Sequence, residues 1–247
     1  MKMQVCEWFE RAIRRSAPGA LVASVAIGAC GGSGTGAGVG PPNPNLFIRD
    51  VRAPPEGIGG PCVYIPDPTL PSLSAGRLDT AFATQYAPTL LVGNTTTADG
   101  GVDAARMTIT GVDVHVTDLA GSPIADVHND ASGFVDGSSS DLASYASVTV
   151  TLLDSAAVAA ATRSTTNTRV LTHVTALAKD ADGNAVRSLP FDFPVDLCVG
   201  CLVTPPLAPV TCTQPLDVGA SMFVPCIVGQ DQPIDCRTCQ ANVACHL

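Results

Sequence analysis

The chain has 247 residues, 46% of them hydrophobic and 14% charged, with 13 Lys and Arg against 22 Asp and Glu and a net charge of −9. Such acidity repels phosphate backbones, and no basic stripe with interleaved aromatics offsets it, so nucleic acid is excluded as a partner. Beyond residue 29, 19 aspartates stand beside a single glutamate, Glu56, and a single lysine, Lys179, a composition that favours turns and strands over amphipathic helices.

Residues 1–29 read as a signal peptide. Lys2, Arg11, Arg14 and Arg15 form a basic head, diluted by Glu7 and Glu10, and an apolar run follows from Ala17 to Ala29. That run is too short for the roughly 20 residues a membrane helix needs. Arg14-Arg15 lacks the residues that normally follow a twin-arginine pair. The run ends in Ile27-Gly28-Ala29-Cys30, an aliphatic residue, two small ones and a cysteine. This resembles the lipobox of bacterial lipoprotein precursors, and the likeness covers only the N-terminus. It implies cleavage before Cys30, a diacylglyceryl thioether on its sulfur and an acyl chain on its new amine. Several chains, at about 0.8 kcal/mol per buried methylene, exceed the marginal hold of one. The competing reading is plain secretion with cleavage after Ala26, since Ser24-Val25-Ala26 also fits a small-x-small site. Processing before Cys30 removes four cations and two acids, leaving nine against 20 and a net charge of −11. An anionic membrane surface would therefore hold the protein only through its N-terminal lipid.

Residues 30–44 are Gly- and Pro-rich, from Gly31 to Gly40 and on to Pro41-Pro42-Asn43-Pro44, and read as a flexible tether. A phosphate-binding loop is excluded there, because no strand precedes it and no Lys-Ser/Thr closes it. Residues 45–197 are expected to form an antiparallel, immunoglobulin-like β-sandwich, and 198–247 an irregular, disulfide-stapled segment. In Met107-Thr108-Ile109-Thr110-Gly111 the apolar residues are odd-numbered, and in Val112-Asp113-Val114-His115-Val116-Thr117 even-numbered, so the phase flips at Gly111 and predicts a β-bulge. Further strands are expected at Val148–Leu152, Val170–Ala178 and Phe191–Val195, with turns at Ala120-Gly121-Ser122-Pro123 and Asp182-Gly183-Asn184. The Asp-Gly pair predicts a hairpin with positive φ at both central residues. One short helix is expected at Ser155–Ala161, capped by Asp154.

Apart from Cys6 and Cys30, eight cysteines remain: Cys62, Cys198, Cys201, Cys212, Cys226, Cys236, Cys239 and Cys245. An even number favours lipidation over plain secretion, which would leave Cys30 as a ninth, unpaired thiol. Seven lie in the last fifty residues, so full pairing requires at least one bond from the tail to Cys62. The Cys198-Val199-Gly200-Cys201 and Cys236-Arg237-Thr238-Cys239 pairs also admit a zinc site or a thioredoxin-like redox site. The first is disfavoured by the wide spacing and an oxidising compartment, the second by the lack of a strand-to-helix setting. Structural disulfides are the preferred reading.

Asp180-Ala181-Asp182-Gly183-Asn184 spaces oxygens as calcium loops do, making Asp180, Asp182 and Asn184 weak calcium candidates, although Ala185 and Phe191 depart from the EF-hand pattern. Asn94-Thr95-Thr96 matches a glycosylation acceptor, read as coincidence. His115, His128, His173 and His246 fit no HExxH or GxSxG arrangement. Asp113 and His115 share the polar face of one strand and read as a solvated pair rather than a catalytic dyad. No catalytic residue, metal or cofactor is expected, and no motif specifies a protein or glycan ligand. The function expected is a lipid-anchored cell-envelope protein with a structural, adhesive or ligand-binding role. The alternative is an exported hydrolytic or metal-dependent enzyme with a loop-assembled site. Gly31 after the lipidated cysteine resembles outer-membrane lipoproteins, and the whole-chain pattern resembles the large class of exported lipoproteins, a likeness that implies no activity.

Overall fold

The computed structural model describes residues 40–55, 62–97, 102–138, 142–163, 165, 167–206, 211–214 and 224–246. The signal segment, the lipobox with Cys30 and the tether as far as residue 39 lie outside the described residues. The described residues belong to one compact unit, Ala37–Leu247, which carries every element named below.

The strands are β1 (Leu46–Arg52), β2 (Ser72–Leu73), β3 (Gly76–Asp79), β4 (Thr89–Asn94), β5 (Met107–Thr117), β6 (Pro123–Val135), β7 (Ser144–Thr149), β8 (Thr168–Lys179), β9 (Ala185–Arg187), β10 (Phe191–Cys198), β11 (Val203–Thr204) and β12 (Ile234–Asp235). Among the described residues one α-helix, α1 (Ser155–Ala161), lies between β7 and β8. The protein is thus mainly β. An antiparallel sheet runs β2-β1-β4-β7, and a mixed sheet runs β3-β10-β8-β5-β6 with β9 also on β8. In the mixed sheet only β3 and β10 are parallel among the described pairs; β11 and β12 form a separate parallel pair. Both large sheets turn residues into one core. Leu46, Leu90 and Val148 come from the first, Val114, Val174 and Val195 from the second. Tyr86, wholly buried, stacks on Phe193 at 6.4 Å.

Several local expectations are met for the physical reasons that motivated them. β5 pairs with both β6 and β8 with a register shift between Ile109 and Gly111, where the hydrophobic phase flips. A Cβ at Gly111 would lie 2.6 Å from the Asn129 carbonyl oxygen, so the bulge also requires glycine for close approach. Helix α1 spans the expected residues, and the Asp154 carboxylate accepts a hydrogen bond from Ala157 N at 2.7 Å. The 180–184 hairpin joins β8 to β9.

Its turn differs from expectation. Gly183 has φ +84°, but Asp182 is not in the left-handed region. Instead Asp180 N donates to Asn184 O, and Asp180 Oδ1 accepts from the amides of Asp182 and Asn184, a five-residue loop closed by its own first side chain. The β5–β6 loop repeats this design. Asp118 Oδ1 accepts from the amides of Ala120 and Ser122, both at 2.8 Å, and Gly121 has φ +83°. The expected strand at Val148–Leu152 is also displaced. It begins at Ser144 and ends at Thr149, opposite Thr89, because Pro88 has no N–H to continue the ladder. Val150 and Leu152 are still buried, their amides bonded to Pro88 O and Tyr86 O.

At the N-terminal side, pairing starts within the expected tether. Asn43 N donates to Arg187 O at 2.8 Å and Pro42 bridges Arg187 of β9. At the C-terminal side the disulfides are Cys62–Cys226, Cys198–Cys201, Cys212–Cys236 and Cys239–Cys245. The first is the bond to Cys62 that the odd count in the tail demands. Buried Asp79 at the end of β3 accepts from the amides of Ala81, Gly200 and Leu202, and so holds the Cys198–Cys201 loop against the sheet. Asn242 Nδ2 donates to Ala81 O at 2.9 Å, drawing the last turn to the same place.

Candidate functional site

Strand alternation builds the candidate site on the outer face of the mixed sheet. From Val112 onward β5 turns even-numbered residues inward, leaving Asp113 and His115 outward; β8 likewise leaves His173 and Thr175 outward. The register then aligns them. His115 of β5 is directly opposite Asp126 of β6 on one side and His173 of β8 on the other, and His173 is opposite Asp192 of β10. The result is a row Asp126-His115-His173-Asp192 across four strands. Two residues along, Asp113 is opposite His128 of β6 and Thr175 of β8. Directly opposed residues on one face are in side-chain contact range.

The contacts follow the rows. His115 Nδ1 lies 2.6 Å from Asp126, His173 Nδ1 2.6 Å from Asp192, and His128 Nδ1 2.6 Å from Asp113. His115 and His173 stack with centroids 5.9 Å apart. Asp113 and His115, which share a face, therefore partner across strands and not with each other. An ionised carboxylate only accepts, so each Nδ1 carries the proton and donates. In the neutral imidazole that leaves Nε2 as a lone-pair donor. The Nε2 of His173 is 3.3 Å from Thr117 Oγ1, which donates to it in this tautomer, and the Nε2 of His128 is 3.9 Å from an Asp130 oxygen.

The histidine side chains are 30 to 62% exposed and their carboxylate partners 46 to 85%. Solvent screening makes such pairs weak contributors to stability, so stability alone does not account for three of them on one face. They flank a shallow depression of about 410 Å³ lined also by Val114, Val127, Thr175 and Pro190. Among the described residues no Ser or Cys lines it, so none of these offers the imidazoles a nucleophile of that kind. The arrangement offers oriented imidazole nitrogens instead. Only the shared face of Asp113 and His115 was legible in the sequence; β6, rich in Asp, Asn and Gly, carried no strand signal, and a third of the site, Asp126 and His128 among its six histidines and aspartates, is on it.

The other sequence candidates serve the scaffold. Asp180 also accepts from Asn184 Nδ2 at 3.1 Å, and the like-shaped 118–122 loop has Ala120 where the 180–184 loop has Asp182, so the Asp180, Asp182 and Asn184 pattern is explained by hairpin closure. Among the described residues no group of three or more His, Cys, Asp or Glu is placed to hold a metal ion. The two CxxC pairs do not converge on zinc: Cys198 bonds Cys201, whereas Cys236 bonds Cys212 and Cys239 bonds Cys245. Asn94 is wholly buried, its Nδ2 donating to Ala105 O and Asp136 O, and is closed to glycosylation. His246 Nε2 is 2.9 Å from Gln240 O, away from the histidine rows.

One partly buried carboxylate was not anticipated. Asp231, in the left-handed region at φ 58°, accepts from Arg77 N at 2.7 Å and from the Tyr86 hydroxyl at 3.0 Å. Burial raises its pKa to about 6. Burial, and then the Asp231 charge, push the Tyr86 and Tyr64 hydroxyls above their ordinary range. Through Arg77 and Tyr86, Asp231 ties the segment before β12 to β3, and it is not part of the histidine face.

No family model matches the chain, and no curated protein matches it. Among solved structures, a Northeast Structural Genomics Consortium target, SoR45, aligns over 46% of this chain and 70% of its own, with 12% identity and a TM-score of 0.27, a likeness too slight to carry an argument.

Proposed function

We propose that the protein is an exported lipoprotein, held at the cell envelope, in the outer membrane, through lipid on Cys30. Its β domain is an immunoglobulin-like sandwich with a binding role rather than a catalytic one. The observation that carries this reading is the closed disulfide set: all eight cysteines after Cys30 pair with one another, leaving Cys30 outside the framework. Four disulfides are consistent with an exported protein, since thiol-reducing compartments do not sustain them. Among the described residues no helix is long and apolar enough to cross a membrane. Two sheets sharing one core support the sandwich, and the outward histidine rows are its best candidate for a ligand face.

The test is fractionation. Wild type sediments with membranes and is released by detergent, and Cys30→Ala appears in the soluble exported fraction. Undiminished membrane association of Cys30→Ala would rule out the anchor. The reading as an exported enzyme draws on the His–Asp pairs, which resemble base-and-orienter pairs. Turnover of a model ester or phosphoester that is lost on His115→Gln would favour it.

A further inference from the structure

We propose that His115 and His173 form a binding site for a divalent late transition-metal ion such as copper(II) or zinc(II), copper(II) being held most tightly. The proposal rests on reading the outer face of the mixed sheet as the ligand face. Three features of the geometry point to it. First, the two imidazoles are a directly opposed cross-strand pair with ring centres 5.9 Å apart. With a metal–nitrogen bond of about 2.1 Å, two imidazoles on one ion have centres roughly 4.5 to 6.5 Å apart, so the strand spacing fits a shared ion and the rings, 27° from parallel, turn their Nε2 atoms toward it. Second, each ring already has the outer-nitrogen hydrogen bond that metal-bound histidines have. Asp126 and Asp192 accept from Nδ1, fixing the tautomer that leaves Nε2 for the ion and raising its basicity. Third, the two carboxylates, with Asp113 beside them, place negative charge around the position of a dication without being needed as ligands.

Two protein ligands make an open site, with water completing the coordination sphere. Imidazole suits copper, zinc and nickel, and the general order of affinity places copper(II) first. Calcium and magnesium, which demand oxygen ligands, are not expected to compete. Binding displaces the Thr117 hydroxyl from His173 Nε2.

The test uses the full-length, disulfide-bonded chain with no polyhistidine tag, stripped of metal and titrated with copper(II) alone and then zinc(II) alone. One copper(II) per chain is expected, with nitrogen hyperfine structure from two imidazoles in its electron paramagnetic resonance spectrum. His115→Gln and His173→Gln should each abolish that spectrum, and Asp126→Asn and Asp192→Asn should weaken binding about tenfold or more. His128→Gln and His246→Gln should retain it. On the unaltered protein, zinc(II) should shift the Nε2 resonances of His115 and His173 and leave His246 in place, a result that needs no variant to fold. No binding, binding kept by the His115→Gln, His173→Gln double variant, or zinc-induced shifts elsewhere would overturn the proposal. Because metal is read on the isolated chain and anchoring by fractionation, failure of either is visible without the other.

Discussion

Replacing Asp231 with Asn should stabilise the protein at neutral pH and leave it unchanged in acid. The folded-state pKa of Asp231 is raised from the ordinary 3.8 to about 6, chiefly by burial. An acid whose pKa is raised on folding binds more protons folded than unfolded between those values, so stability is fully present below about pH 4 and is lost as pH rises to about 6. At 1.36 kcal/mol per unit, a shift of about 2 units corresponds to a loss of about 3 kcal/mol. Asn cannot ionise, still offers an oxygen to Arg77 N, and tolerates the left-handed conformation at φ 58°. Asp67, Asp118, Asp180, Asp196 and Asp235, lowered chiefly by hydrogen bonds, act with the opposite sign, their stabilisation being lost as pH falls. They are common to both proteins and cancel in the difference. The assay is urea unfolding of wild type and Asp231→Asn with disulfides intact, at half-unit steps from pH 3.5 to 8. The difference should be near zero at pH 3.5, grow to about 3 kcal/mol by pH 6.5, and stay flat above. With a urea slope of about 2 to 3 kcal/mol per molar, the midpoint moves by roughly 1 M. A difference that does not change between pH 4 and 6 would refute the reasoning.

Three further outcomes are expected. Cys62→Ser with Cys226→Ser opens a closure of 164 residues, for which loop entropy gives about 5 kcal/mol, and protease digestion should then release the tail before the β domain. Gly111→Val forces a side chain against the Asn129 carbonyl, 2.6 Å from the Cβ position, and should cost about 1 to 3 kcal/mol in the same urea assay. Asp154→Ala removes the cap of α1 and should cost about 1 kcal/mol, with hydrogen exchange accelerated at Ala157 before the sheet amides.

Signals confined to one segment were legible in the sequence. The Gly111 bulge follows from a phase change within eleven residues, and α1 from a cap beside a short alanine-rich run. Signals shared between segments were not. β4 is buried along its whole length, so Leu90-Leu91-Val92 shows no alternation, and β6 is too polar for its propensity to announce a strand; pairing with β5 imposes it. The candidate site fails to appear for the same reason. His115 and His173 are 58 residues apart, and only the β5–β8 register makes them neighbours. Asp231 reads as one loop aspartate among many until β3 and Tyr86 enclose it.

The central claim is that Cys30 is the lipid-bearing first residue of an exported binding domain. Mass spectrometry of the N-terminal peptide of protein isolated from the cell envelope tests it most directly. A peptide that begins at Cys30 and carries a diacylglyceryl group with an acylated amine is the expected result, and a peptide that begins at Ile27 with unmodified Cys30 would contradict it.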